Sequence, residues 1–238
     1  MYKDFISGKK AVFFDLDGTL IDSAKYSVRA INKILVTTGE PAVSELRGDS
    51  GIYIGDTLEA LIHQPQLTTK ELVEHFHTEY IKLFRANPLP VRKGFWDLVY
   101  ELKNQKKFKI ALISNSDRVQ VDAVLKILRI DKTFDLVLAG NEVKHRKPHP
   151  EIYTSAAKHF GLKPKEILVF EDSPTGNMSA AKAKMDMIII WNGNYPKRSY
   201  KGNILTFTDN FEGLSGNLDM TLKEYFATWI QHIVDRKI

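Results

Sequence analysis

The 238-residue chain has no cysteine. That excludes a disulfide-stapled scaffold and any thiol nucleophile, and it points to a reducing compartment. No run of about 18 apolar residues occurs, so no membrane-spanning helix is expected. The first ten residues carry Lys3, Asp4, Lys9 and Lys10 and lack the apolar stretch of a secretory leader. A soluble, cytoplasmic protein is the expectation. Blocks of about five or more like charges are also missing. The formal charge of +5 is spread along the chain, and the longest basic cluster, Lys144-His145-Arg146-Lys147, is short and interrupted. Neither nucleic acid nor membrane is therefore an expected partner. There is no internal repeat and no low-complexity tract.

What remains is ordinary globular composition, 43% hydrophobic and 26% charged, which excludes a disordered chain. Short apolar runs recur: Ala11-Val12-Phe13-Phe14, Ile110 to Ile113, Phe134 to Leu138, Ile167 to Phe170 and Met187 to Trp191. They are too short for core helices and do not alternate with polar residues. Such runs read as strands of a parallel sheet, buried on both faces. Helical patterns lie between the later runs, over Phe95 to Leu102, Val119 to Leu128, Ile152 to Phe160 and Ser173 to Ala183. Pro150 is placed at a helix start and Gly161 at a stop. Strand–helix alternation of this kind predicts an α/β fold, a doubly wound, Rossmann-like parallel sheet.

The segment from Asp22 to about Pro88 breaks the alternation. It offers three helical patterns (Ala24 to Val36, Asp56 to His63, Thr69 to Ala86) and no strand. The expected organisation is a core of residues 1–21 and 89–210, an inserted α-helical cap subdomain over 22–88, and a helical extension over 211–238. That extension carries a last amphipathic pattern with Tyr225, Trp229, Ile230 and Ile233 on one face.

The chemistry concentrates at strand ends. Asp15-Leu16-Asp17-Gly18-Thr19-Leu20 follows the first apolar run. Carboxylates two residues apart on a strand project to one side, toward the region beyond the carboxyl ends where open α/β sheets bind ligands. Two like charges so close call for a cation, and a hard ion with oxygen ligands, Mg²⁺, is the natural one. An EF-hand loop does not fit, because Gly18 is fourth in the loop and position twelve is Tyr26. Ser114-Asn115-Ser116 follows the second run and can hold an anion. Lys147-Pro148-His149-Pro150 follows the third and offers a fixed cation, and Glu171-Asp172-Ser173 follows the fourth with a second acidic pair.

This order of motifs resembles the haloacid dehalogenase-like hydrolase superfamily, in particular its helical-cap group of β-phosphoglucomutase-like phosphatases. Asp15-Leu16-Asp17-Gly18-Thr19 is similar to the first motif of that family and Ser114-Asn115 to the second. Lys147-Pro148 with Pro150, Ile152 and Tyr153 is similar to the third, and Glu171-Asp172-Ser173 with Gly176 to the fourth. One departure is Lys184, where relatives commonly carry glycine. The resemblance implies Asp15 as nucleophile, forming an aspartyl-phosphate, and Asp17 as general acid and base. It implies phosphoryl or substrate binding by Ser114, Asn115 and Lys147. Mg²⁺ would be held by Asp15, the main-chain carbonyl of Asp17, Asp172 and Glu171.

The expected function is a Mg²⁺-dependent phosphatase acting on a small phosphorylated metabolite, a sugar phosphate or nucleotide-related ester, with a monomer as the favoured state. The alternative is a sugar phosphate isomerase, because β-phosphoglucomutases share all four motifs. Those mutases keep a histidine in the first cap helix where this chain has Ser27. Dehalogenase chemistry does not fit, since those relatives do without the second aspartate. Arg47, Asp49, Ser50, Tyr53 and Tyr80 are cap candidates for lining the pocket.

Overall fold

Apolar runs of four or five residues cannot bury themselves alone, and here they line up side by side. A computed structural model of the protein describes residues 5–45, 51–63, 66–105 and 107–215. Its strands are β1 (Ala11–Phe14), β2 (Lys109–Ile113), β3 (Leu136–Leu138), β4 (Ile167–Glu171), β5 (Asp186–Ile190) and β6 (Ile204–Thr208). They form one six-stranded sheet in the order β3-β2-β1-β4-β5-β6, with every pair parallel. The chain winds outward from β1 in both directions, so the carboxyl ends of β1, β2 and β4 meet at the centre. That is where a doubly wound sheet reverses its strand order and forms a crevice.

Successive residues of each central strand go to opposite faces. Val12, Phe14, Ile110, Leu112, Leu168, Phe170, Ile188 and Ile190 join one apolar cluster. Ala11, Phe13, Ala111, Ile113, Ile167, Val169, Met187 and Ile189 join the other. Burial on both faces explains the unbroken apolar runs. The edges differ from the sequence reading. β3 is shorter than Phe134 to Leu138 and only half-buried, and β6 was absent from the five expected runs. An edge strand has one side without a partner strand, which weakens its apolar signature.

Helices follow the expected pattern closely: α1 (Ala24–Thr38), α2 (Ile54–Leu61), α3 (Thr69–Ala86), α4 (Phe95–Tyr100), α5 (Arg118–Leu128), α6 (Glu151–Phe160) and α7 (Pro174–Lys182). A π-type turn over Glu101–Gln105 prolongs α4, and Pro150 is the N-cap of α6 instead of its first residue. Helix α3 begins with a reciprocal cap, Thr68 and Glu71 each accepting the other's backbone N–H. It packs on α1 and α2, and also against α5 beside the sheet. Ile31, Phe76, Tyr80 and Phe84 of the helical insert belong to the same apolar cluster as Val12 and Phe14. The insert thus shares its apolar packing with one face of the sheet. No helix among the described residues is long and apolar enough to cross a membrane. The expected helix over Leu222 to Ile238 lies outside the described residues, as do Arg47, Asp49 and Ser50.

Candidate active site

The end of β1 is anchored before the first aspartate appears. Phe14 stacks on Phe170 with ring centroids 5.0 Å apart and meets Phe95 and Phe211 edge-on at 5.5 and 5.7 Å. The Asp15 N–H continues the ladder by donating to the Phe170 carbonyl at 3.0 Å. The chain then leaves the sheet, so Asp15 and Asp17 are not paired by strand pleating as expected. A tight loop presents them instead: the N–H groups of Leu20 and Ile21 both donate to the Leu16 carbonyl, and that of Gly18 donates to Ile21. The Arg92 guanidinium fixes the loop from outside, donating to the Gly18 carbonyl from Nε and Nη2 at 3.2 and 2.8 Å. Gly18 has φ +89°, and a Cβ there would run into the Asp172 carboxylate. Only glycine lets the Asp15–Asp17 loop pass that close to the end of β4.

Asp15, Asp17, Ser114, Asn115 and Lys147 line one cavity of about 90 Å³, together with Ser27, Gly51, Tyr53, Thr57, Ser116 and Ser173. Asp15 and Lys147 also belong to a buried charged cluster. Buried Lys147 donates from Nζ to Asp15 Oδ1 at 2.8 Å, to Glu171 Oε1 at 2.6 Å and to the Ile113 carbonyl at 2.8 Å. Tyr153 donates its hydroxyl to the same Glu171 oxygen at 2.9 Å. The other Glu171 oxygen accepts from the N–H groups of Asp172 and Ser173 and from the Ser173 hydroxyl. Asp172 accepts from Thr19 Oγ1 at 3.1 Å through Oδ1, while its buried Oδ2 has no hydrogen-bond partner.

The cluster holds more negative charge than one lysine balances. Burial, and then the Glu171 charge, push the Asp15 carboxyl up to about 7, although Lys147 pulls it down. Burial, with Asp15 and Glu171 close by, holds Asp172 well above the ordinary carboxylate range. Despite its desolvation, Lys147 is raised above an ordinary lysine by Asp15 and Glu171. Ligand atoms of Asp15, Glu171 and Asp172 lie within 4.8 Å of one another. An oxygen-only donor set with surplus charge and an orphaned buried oxygen fits a hard divalent cation. The residues present therefore suit Mg²⁺.

Asp17 points elsewhere. Its Oδ1 accepts from Ser23 Oγ at 2.6 Å and from Tyr80 Oη at 3.2 Å, and its Oδ2 accepts from Ser116 Oγ at 2.8 Å. Its carboxylate is thus held by the helical insert and by the Ser114–Ser116 turn, apart from the three-carboxylate cluster. Asn115 is occupied too: Nδ2 donates to the Gly51 carbonyl at 2.7 Å, and Oδ1 accepts from the Lys147 N–H at 3.0 Å. Sequence reasoning gave no role to Ser23 or Thr19. Both are small hydroxyl residues whose partners are fixed only by folding.

The sequence profile of the haloacid dehalogenase-like hydrolases matches residues 12–190. The chain belongs to this family. A phosphorylated carbohydrates phosphatase of Thermotoga maritima is 30% identical over 188 residues, 75% of this chain and 83% of that protein. A phosphoglycolate phosphatase of Aquifex aeolicus is 32% identical over 171 residues, 69% of this chain and 76% of that one. Among solved structures, CbbY of Rhodobacter sphaeroides in complex with phosphate superposes with a TM-score of 0.75 at 22% identity, covering 87% of this chain and 96% of that one. A β-phosphoglucomutase of Clostridium difficile does so with 0.71 at 23%, covering 95% and 99%. At such identity these two structures speak for the haloacid dehalogenase fold alone.

Proposed function

We propose that this hydrolase is a Mg²⁺-dependent phosphatase of a small phosphorylated metabolite, of the sugar phosphate kind, working through an aspartyl-phosphate. Its class, phosphoric monoester hydrolase, follows from family membership and from relatives that carry phosphatase names. The observation that carries the reading is the ammonium of Lys147 on Asp15 Oδ1 at the floor of a cavity that Asp17 also lines. A carboxyl nucleophile, a fixed cation and a second carboxyl group face one small space.

In the proposed reaction an Asp15 oxygen attacks phosphorus and the bond to the ester oxygen breaks as Asp17 gives that oxygen a proton. Asp17 then takes a proton from water, whose oxygen attacks the same phosphorus, releasing Asp15 and inorganic phosphate. The hydroxyls of Ser23, Tyr80 and Ser116 hold Asp17 in place for both steps, and each can rotate to follow its change of protonation. Lys147 and Ser114 would bind the phosphoryl oxygens and offset charge developing there. Asn115 ties the lysine loop to the insert, so its part is positioning. Mg²⁺, when bound by Asp15, Asp172 and the Asp17 carbonyl with the charge of Glu171 behind them, would neutralise the carboxylates and the transferring group. The helical segment 22–88 is assigned the part of a cap that excludes bulk water.

Water is the proposed acceptor, in preference to a second sugar. Ser27 lines the cavity where mutases place a histidine, and a serine has no titratable group near neutral pH. Purified protein with Mg²⁺ and a panel of phosphomonoesters should release inorganic phosphate steadily, and Asp15→Asn should lower turnover by about 10⁴-fold or more. With β-glucose 1-phosphate and a trace of the 1,6-bisphosphate, little glucose 6-phosphate should form. Rapid glucose 6-phosphate formation without phosphate release would move the assignment to a mutase.

A further inference from the structure

Arg146, just before Lys147, belongs to none of the roles above, yet its side chain is largely buried and has three partners. Its Nη1 donates to the Asn115 carbonyl at 2.7 Å, and its Nη2 to the Asp117 carboxylate that opens α5. The third partner is in the helical insert: the guanidinium carbon lies 3.9 Å from the centroid of the Tyr53 ring. Flat guanidinium on an aromatic face is an attractive contact, strengthened when water is excluded. Gly140 makes room for it, since a Cβ there would collide with Arg146 Nη1 and the Asn115 carbonyl.

Two further approaches of insert and sheet layer surround this point. Asn115 Nδ2 donates to the Gly51 carbonyl at 2.7 Å. His77, buried on α3, brings Nε2 to 3.6 Å from the Asp117 Oδ2, beyond hydrogen-bonding distance. Tyr53 itself lines the cavity. One side chain, itself on the loop that carries Lys147, therefore touches the turn after β2, the start of α5 and a wall of the cavity contributed by the insert.

We infer that Arg146 is a positioning residue, the clasp by which the helical insert is held closed against the lysine loop. The inference rests on the proposed role of that insert as a cap. If substrate is bound productively only under a closed cap, the apparent affinity falls by the fraction of molecules that are closed. Losing the clasp should then raise KM and leave kcat, measured with the cap pulled shut by saturating substrate, nearly unchanged. A residue needed only for folding would give no such separation.

The test has two readouts. Steady-state hydrolysis of p-nitrophenyl phosphate with Mg²⁺ should show KM raised by up to about tenfold in Arg146→Gln, the ceiling set by one partly desolvated cation–π contact, with kcat within about twofold. Tyr53→Leu removes the same contact from the other side, and the double variant should be no worse than the poorer single one. Hydrogen exchange without substrate should be faster over residues 51–61 in both single variants and unchanged in β1 and β4. A fall in kcat at constant KM, additive effects in the double variant, or unchanged exchange over 51–61 would each overturn the clasp. The exchange readout needs no turnover. Faster exchange in a protein without phosphatase activity would keep the clasp and refute the function instead.

Discussion

Asp15 occupies a position that the protein alone does not balance electrically. Its carboxyl, ordinarily near 3.8, is pushed up to about 7 by burial first and by Glu171 second. Asp172 moves in the same direction for the same leading cause. Between pH 4 and 7, on the order set by these values, the metal-free folded protein holds a proton at Asp15 that the unfolded chain has released. The folded state therefore binds more protons, and its stability falls as pH rises through that window. A divalent cation needs the carboxylates ionised, so its binding competes with the proton and gains with pH. We predict that metal-free protein melts at lower temperature at pH 8 than at pH 5.5, and that saturating Mg²⁺ raises the melting temperature more at pH 8. Equal Mg²⁺ stabilisation at the two pH values would contradict the assignment of the cation to these carboxylates. Lys147 does not disturb the comparison, because its raised value keeps it charged throughout.

At the scale of elements, the helix ends show where sequence and geometry disagree. After α6, Gly161 takes the left-handed backbone with φ 65°. After α7 the same position falls to Lys184, at φ 60°. The Met185 N–H donates to the Ala180 carbonyl at 3.1 Å and the Lys184 N–H to Ala181 at 3.0 Å, the hydrogen-bond pair of a helix stop that favours glycine. A side chain in this conformation costs roughly 1–2 kcal/mol, which glycine partly offsets by losing more backbone entropy on folding. Lys184→Gly should thus stabilise the protein by about 1 kcal/mol, raising the midpoint of thermal unfolding by about 2–4 °C for a chain of this size. A lowered midpoint would mean that Lys184 makes a compensating contact of its own. Since Asp172 and the N-cap Ser173 lie at the opposite end of α7 from Lys184, the same variant should leave the dependence of activity on Mg²⁺ unchanged.

Across the whole molecule, what was legible in the sequence is what repeats locally. Unbroken apolar runs announced β1, β2, β4 and β5, and the polar residues after them announced the candidate site, because strand ends of a doubly wound sheet converge. The edge strand β6 was missed, since half-burial dilutes the run. Tyr53 and Tyr80 of the helical insert were legible as candidates for the pocket, and Tyr53 does line it, but the partners of the two side chains were not legible. Tyr80 reaches Asp17 from 63 residues away, and Arg146 meets Tyr53 only once the insert is folded back. No local periodicity encodes such meetings. The proposed reaction passes through one covalent species, a phosphoryl group carried by Asp15 between two transfers. Its most direct measurement is an acid quench of the enzyme during turnover of a phosphomonoester with Mg²⁺, followed by mass spectrometry of its peptides. A phosphoryl group is expected on the peptide containing Asp15, present early in turnover and gone once substrate is exhausted. Steady phosphate release from an enzyme never phosphorylated, or phosphorylated at another residue, would contradict it.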